Sequence, residues 1–127
     1  MNDFTEKDME EALEAIDSMI NRTEKSKGKF AEGTSQHTLQ KNRLKALYIA
    51  SALISRGLTE ANNLDCYTEE DLKNALAPIN SLISKSEKAR AKLDQGTWQH
   101  TMLANNLKAL HIALPLLTKI ILQEDTM

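Results

Sequence analysis

Apolar residues recur at helical spacing along most of the chain, and no stretch alternates apolar and polar positions as a half-buried strand does. Met9, Leu13, Ile16 and Ile20 lie four, three and four residues apart, which lays one apolar stripe along a helix. Leu72, Leu76, Ile79 and Ile83 repeat that spacing. Two further stripes follow, Leu39, Ala46, Ala50 and Leu53, then Met102, Ala109, Ala113 and Leu116. Thr5 and Thr68 stand before the first and third stripes with Asp8 and Asp71 three residues on, a short form of the capping box. The pattern predicts helices over about 5–30 and 68–93, stopped by Gly33 and Gly96, which accept a left-handed backbone. Thr34 and Thr97 then cap the next helices at once, and Gly57 is expected to end the second. Four long helices joined by tight turns predict an all-α fold, an antiparallel up-down-up-down four-helix bundle.

The recurrence is more than a pattern. At an offset of 63 residues, positions 4–58 align on 67–121 without a gap, and about 24 of the 55 pairs are identical. The longest match is Gly33-Thr34-x-Gln36-His37-Thr38 on Gly96-Thr97-x-Gln99-His100-Thr101, continued by Asn42-x-Leu44-Lys45-Ala46-Leu47 on Asn105-x-Leu107-Lys108-Ala109-Leu110. Each copy reads as a helical hairpin, and two copies of one unit are expected to pair with pseudo-twofold symmetry. Residues 59–66 are the connector. The whole chain of 127 residues reads as one domain.

Composition adds bounds. A net charge of −2 points to neither a nucleic acid nor a membrane surface as a general partner. The single Cys66 has no internal disulfide partner, as expected in a reducing compartment. The longest apolar run, over 112–122, is interrupted by Pro115, Thr118 and Lys119 and is too short for a bilayer. With no basic-then-apolar N-terminal stretch, a cytoplasmic protein is expected.

The copies differ at informative places. Gln40 and Ser51 become Leu103 and Leu114, giving the last helix a stripe of Leu103, Leu110, Leu114, Leu117 and Ile121. That stripe either sits deeper in its own bundle or forms a dimer seam. Buried leucines contribute roughly 1.5–3 kcal/mol each, so the stripe has to be covered. Pro78 and Pro115 replace Ala15 and Ala52 and should kink their helices. Glu6, Glu10, Glu14 and Asp17 form an acidic face on the first helix alone, read as solvated.

Candidate chemistry is sparse. His37 and His100 would have to converge across the bundle to bind zinc, and neither has an acidic or Cys neighbour at ligand spacing. Asn42 and Asn105 fall on or beside the apolar face and would fix register if buried. No phosphate loop, diiron pair or nucleophile motif occurs, so neither cofactor nor metal is expected, and the chain does not read as an enzyme. Charge offers one lead. Lys25, Lys29, Lys88 and Lys92 flank the two turns, where helix N-termini also favour anions, and Trp98 follows the second turn where the first copy has Ser35.

The Gly-Thr-x-Gln-His-Thr turn with its following Asn-x-Leu-Lys-Ala-Leu helix resembles small duplicated helical-hairpin proteins of unknown function from Gram-positive bacteria or their phages. That resemblance implies no activity and carries over no functional residue. The expected function is a non-enzymatic module that binds a protein partner or itself. The alternatives are polyanion binding at the basic turns, through Lys25, Lys29, His37, Lys88, Lys92, Trp98 and His100, and a metal or small-ligand site near the histidines and asparagines.

Overall fold

A computed structural model describes residues 4–59 and 67–125. Among them the fold is all-α, with α1 Glu6–Lys27, α2 Ser35–Thr59, α3 Glu69–Asn74, α4 Leu76–Ala91 and α5 Trp98–Asp125. No strand occurs among the described residues. The connector proposed at 59–66 lies, beyond Thr59, outside them, as does Cys66.

Both predicted capping boxes form. The amide of Asp8 donates to Thr5 Oγ1 at 3.0 Å and the amide of Thr5 donates to Asp8 Oδ2 at 3.2 Å. Thr68 and Asp71 exchange the same two bonds, both at 3.0 Å. Each box satisfies two of the amides that a helix start leaves unpaired.

α1 and α4 end at Lys27 and Ala91, short of the expected 30 and 93. The chain tightens there instead, with Phe30 N–H donating to Lys27 C=O at 3.2 Å and Leu93 N–H donating to Arg90 C=O at 3.1 Å. These are three-residue closures that end a helix early. The connections are therefore longer than predicted, over 28–34 and 92–97. Gly33 and Gly96 lie within them at φ 87° and 91°. Any side chain at that φ meets the following carbonyl, so glycine belongs at both positions. Thr34 and Thr97 cap as expected, accepting from His37 and His100 amides at 3.2 Å each.

Two expectations change. Gly57 does not stop α2, which runs through it to Thr59. A Cβ at Gly57 would lie 2.5 Å from Met9 Cε, so the missing side chain makes room for α1 rather than for a turn. Pro78 does more than kink its helix. It cannot donate to Asn74, and α3 and α4 separate at Ala75, whose amide turns to Leu72 C=O at 3.2 Å. Pro115, by contrast, is carried inside a continuous α5.

The core draws on the same positions in both copies. Ile16 and Ile79, Leu47 and Leu110, Ile49 and Ile112, and Ile54 and Leu117 are each 63 apart and nearly inaccessible. Burying each contributes about 1.5–3 kcal/mol relative to exposure. α1 packs on α2 and α5, α4 packs on α5 and α2, and α2 also touches α5. Leu110, Leu117 and Ile121 are buried in this core, and Leu103 and Leu114 are half-buried. The leucine stripe is thus largely covered within the chain itself.

Candidate functional site

Two grooves open between helices, one between α1 and α5 and one between α2 and α4 with the end of α3. They measure about 540 and 490 Å³. Nine lining positions of one correspond to nine of the other at the 63-residue offset, among them Asn105 and Asn42, Lys108 and Lys45, and Ser18 and Ser81.

Each groove is spanned at one end by a lysine–aspartate pair that crosses between the copies. Lys108 Nζ lies 3.1 Å from Asp8 Oδ1, and Lys45 Nζ lies 2.7 Å from Asp71 Oδ1. The same aspartates serve the capping boxes, so each carboxylate accepts from a helix start and from a lysine of the facing helix. Those bonds hold both carboxyls below the ordinary range, the lysine bond contributing most and the threonine amide next. Asp8 in turn raises the pKa of Lys108, with a smaller contribution from Glu11.

The linings diverge where the copies diverge. The α1–α5 groove presents Glu11, Glu14 and Trp98, whose counterparts at the 63-residue offset are Asn74, Ala77 and Ser35. Trp98 is 70% exposed, far more than any other large apolar side chain of the helices apart from Leu122 at 59%. Glu11 and Glu14 are exposed and have no ion-pair partner among the described residues. At the same groove Arg22 Nη1 donates to Met102 Sδ at 2.8 Å, fastening α1 to α5.

The residues singled out from sequence separate into different places. Lys25, Lys29, Lys88 and Lys92 are exposed and without carboxylate partners among the described residues, but none of them lines the groove that holds Trp98. Trp98 instead shares the lining of the α1–α5 groove with Glu11 and Glu14. His37 and His100 are half-buried at the helix starts, their amides engaged by the capping threonines. No group of three or more His, Cys, Asp or Glu side chains is placed to hold a metal among the described residues.

Asn42 and Asn105 are not the buried polar pair. Both are exposed and line the grooves, one in each. The next residues, Arg43 at 8% and Asn106 at 5% exposure, are buried instead. Arg43 Nε has no hydrogen-bond partner. Helical phase explains the difference: one residue is a rotation of about 100°, enough to exchange the core for the groove wall. No sequence motif marks the reciprocal lysine–aspartate pairs, although all four residues are identities of the repeat.

Among the described residues no helix is long and apolar enough to cross a membrane. Comparison with protein-family models, with characterised proteins and with solved structures finds no match to this chain.

Proposed function

We propose that the chain is a non-enzymatic protein-interaction module that docks its partner in the groove between α1 and α5. The observation that carries this reading is Trp98, 70% exposed at the lip of a groove of about 540 Å³, where the other copy has Ser35. An exposed tryptophan beside a concave surface is the side chain that most often anchors a protein contact. The shifted side chains are accounted for by the frame itself. Asp8, Asp71, Lys108 and Tyr48 each owe their shift first to a surface hydrogen bond, that of Tyr48 being raised by its bond to Glu24.

The frame of this module is, in our reading, an antiparallel up-down-up-down bundle of two fused hairpins related by a pseudo-twofold axis. The reciprocal pairs Lys45–Asp71 and Lys108–Asp8 support it, since residue i of one copy meets residue j of the other and the reverse. The paired grooves support it as well. Self-association through Leu103 and Leu114 is less favoured, because the rest of that stripe is buried within the chain.

Ser18 and Ser81 are equivalent, exposed and one to each groove, so they provide the test. A photo-crosslinking residue at position 18 should yield a discrete protein adduct in the native host, lost on Trp98→Ala, while one at position 81 yields none. Equal adducts from both positions, or an adduct at 18 indifferent to Trp98, would contradict the reading.

A second reading rests on the exposed Lys25, Lys29, Lys88 and Lys92 beside the starts of α2 and α5, a surface suited to a polyanion. Labelled-oligonucleotide anisotropy that falls with salt and is abolished by replacing the four lysines with glutamate supports it. No binding at low salt removes it.

A further inference from the structure

We propose that the segment docked between α1 and α5 is a basic peptide stretch, one that packs a side chain against Trp98 and sets its cations along the groove beside Glu11 and Glu14. This rests on the docking reading above and adds the chemistry of the partner. The groove has an aromatic lip on α5 and an acidic lip on α1. Glu11 and Glu14 are three apart and therefore neighbours on one helix face, where like charges repel. An incoming cation relieves that repulsion.

The cations already at the groove supply it only in part, Lys108 acting on Glu11 without forming an ion pair with it. Lys108 is held by Asp8 at 3.1 Å, and Arg22 is turned to the sulfur of Met102. The exposed Glu10 and Asp17 deepen the negative field on the same helix. The floor contains Ala12, Ala15 and Ala109, small enough to admit side chains from outside, and the amide of Asn106, 5% exposed, is the polar group set among them. A volume of about 540 Å³ is that of a small-ligand pocket. It takes a few side chains of a segment, not the face of a domain.

The second groove acts as an internal control. Its backbone positions correspond, yet both carboxylates and the tryptophan are absent together, replaced by Asn74, Ala77 and Ser35. Arginine suits the α1–α5 groove better than lysine, because a planar guanidinium can either stack on the indole or pair in a bidentate way with a carboxylate, according to its place along the groove. A nucleic acid is disfavoured there by the sign of the charge.

The test is selection of a random peptide display library on the wild-type chain, with soluble Trp98→Ala protein in excess to remove clones that bind elsewhere. Trp98 is the sole tryptophan, so synthetic copies of selected peptides report occupancy by shifting its emission. The expected clones are enriched in arginine or lysine. Their binding should weaken roughly tenfold or more in Trp98→Ala, by roughly three- to tenfold in Glu11→Gln/Glu14→Gln, and further as salt rises. All three side chains are exposed, so these variants should keep the wild-type melting temperature. Trp98-dependent clones without basic enrichment, and indifferent to the glutamine changes, would overturn the basic partner while leaving the docking reading intact. A selection that yields no Trp98-dependent clone would overturn both.

Discussion

The groove between α1 and α5 and the groove between α2 and α4 share their positions in the repeat, their size and their lysine–aspartate crossing. They differ in what faces outward. One presents Trp98, Glu11 and Glu14, and the other presents none of their counterparts as an aromatic or an acid. Residues that both copies keep are the ones that build the frame: the capping Thr5, Thr68, Asp8 and Asp71, the turn glycines, and the core isoleucines and leucines. Within one molecule the repeat thus separates what folding requires from what one surface alone carries, with no second sequence needed for the comparison.

That separation can be broken at several depths. The largest effect belongs to the core. Ile16→Ala and Ile79→Ala remove equivalent side chains, each 0% exposed, and each should cost about 2–5 kcal/mol by denaturant melting, with the two costs close to one another. Strongly unequal costs would show that the halves do not share their core evenly.

Next comes the break between α3 and α4. Pro78→Ala restores the residue type that the first copy has at Ala15, and with it a donor for the Asn74 carbonyl. It should join the two helices, deepen the far-ultraviolet helical signal and raise stability by about 1–3 kcal/mol. No gain would mean that packing around Ala75, rather than the proline, sets the break.

Smaller again are the turns. Gly33→Ala and Gly96→Ala force a side chain into positive φ, and each should lower stability by about 1–2 kcal/mol, equally in both copies. Neither added Cβ meets an atom beyond the glycine's own chain neighbours, so a larger loss at one position would point to something other than backbone strain.

The smallest effect is electrostatic. Asp8 and Asp71 have depressed pKa values, so their contribution is complete above the ordinary carboxylate pKa and is lost as pH falls through the folded-state values. The raised pKa of Lys108 acts at the other extreme, its contribution being lost only as pH climbs through the folded-state value. Thermal melting of wild type and of Asp8→Asn/Asp71→Asn should therefore differ slightly at neutral pH and converge in strong acid. A gap that stays constant down to low pH would contradict the charge argument.

Much of this frame was legible in the chain before any coordinates. Four-three-four spacing, threonine caps with aspartate at the third position, and a glycine before each capping threonine are local rules that act within one turn of helix. They correctly placed the helix starts, the left-handed glycines and most of the core. Gly57 misled because glycine signals a helix end only when the backbone needs it; here the need comes from Met9, 48 positions away along the chain.

The groove was hidden for the same reason. Glu11, Glu14 and Trp98 look unrelated in sequence, and Trp98 stands next to a basic turn, which suggested an anionic partner. Only the packing of α5 on α1 brings it into the same groove as those carboxylates. The asparagines show the finer failure, in which a step of one residue exchanged Asn42 and Asn105 for Arg43 and Asn106 as the buried polar pair.

The central claim is that the two grooves are equivalent in frame and unequal in function. Calorimetric titration of a Trp98-dependent peptide into the intact chain tests it most directly. The account predicts one peptide bound per chain, with binding lost in Trp98→Ala and unchanged in Ser35→Ala. Two peptides per chain, or binding that is also lost in Ser35→Ala, would contradict it.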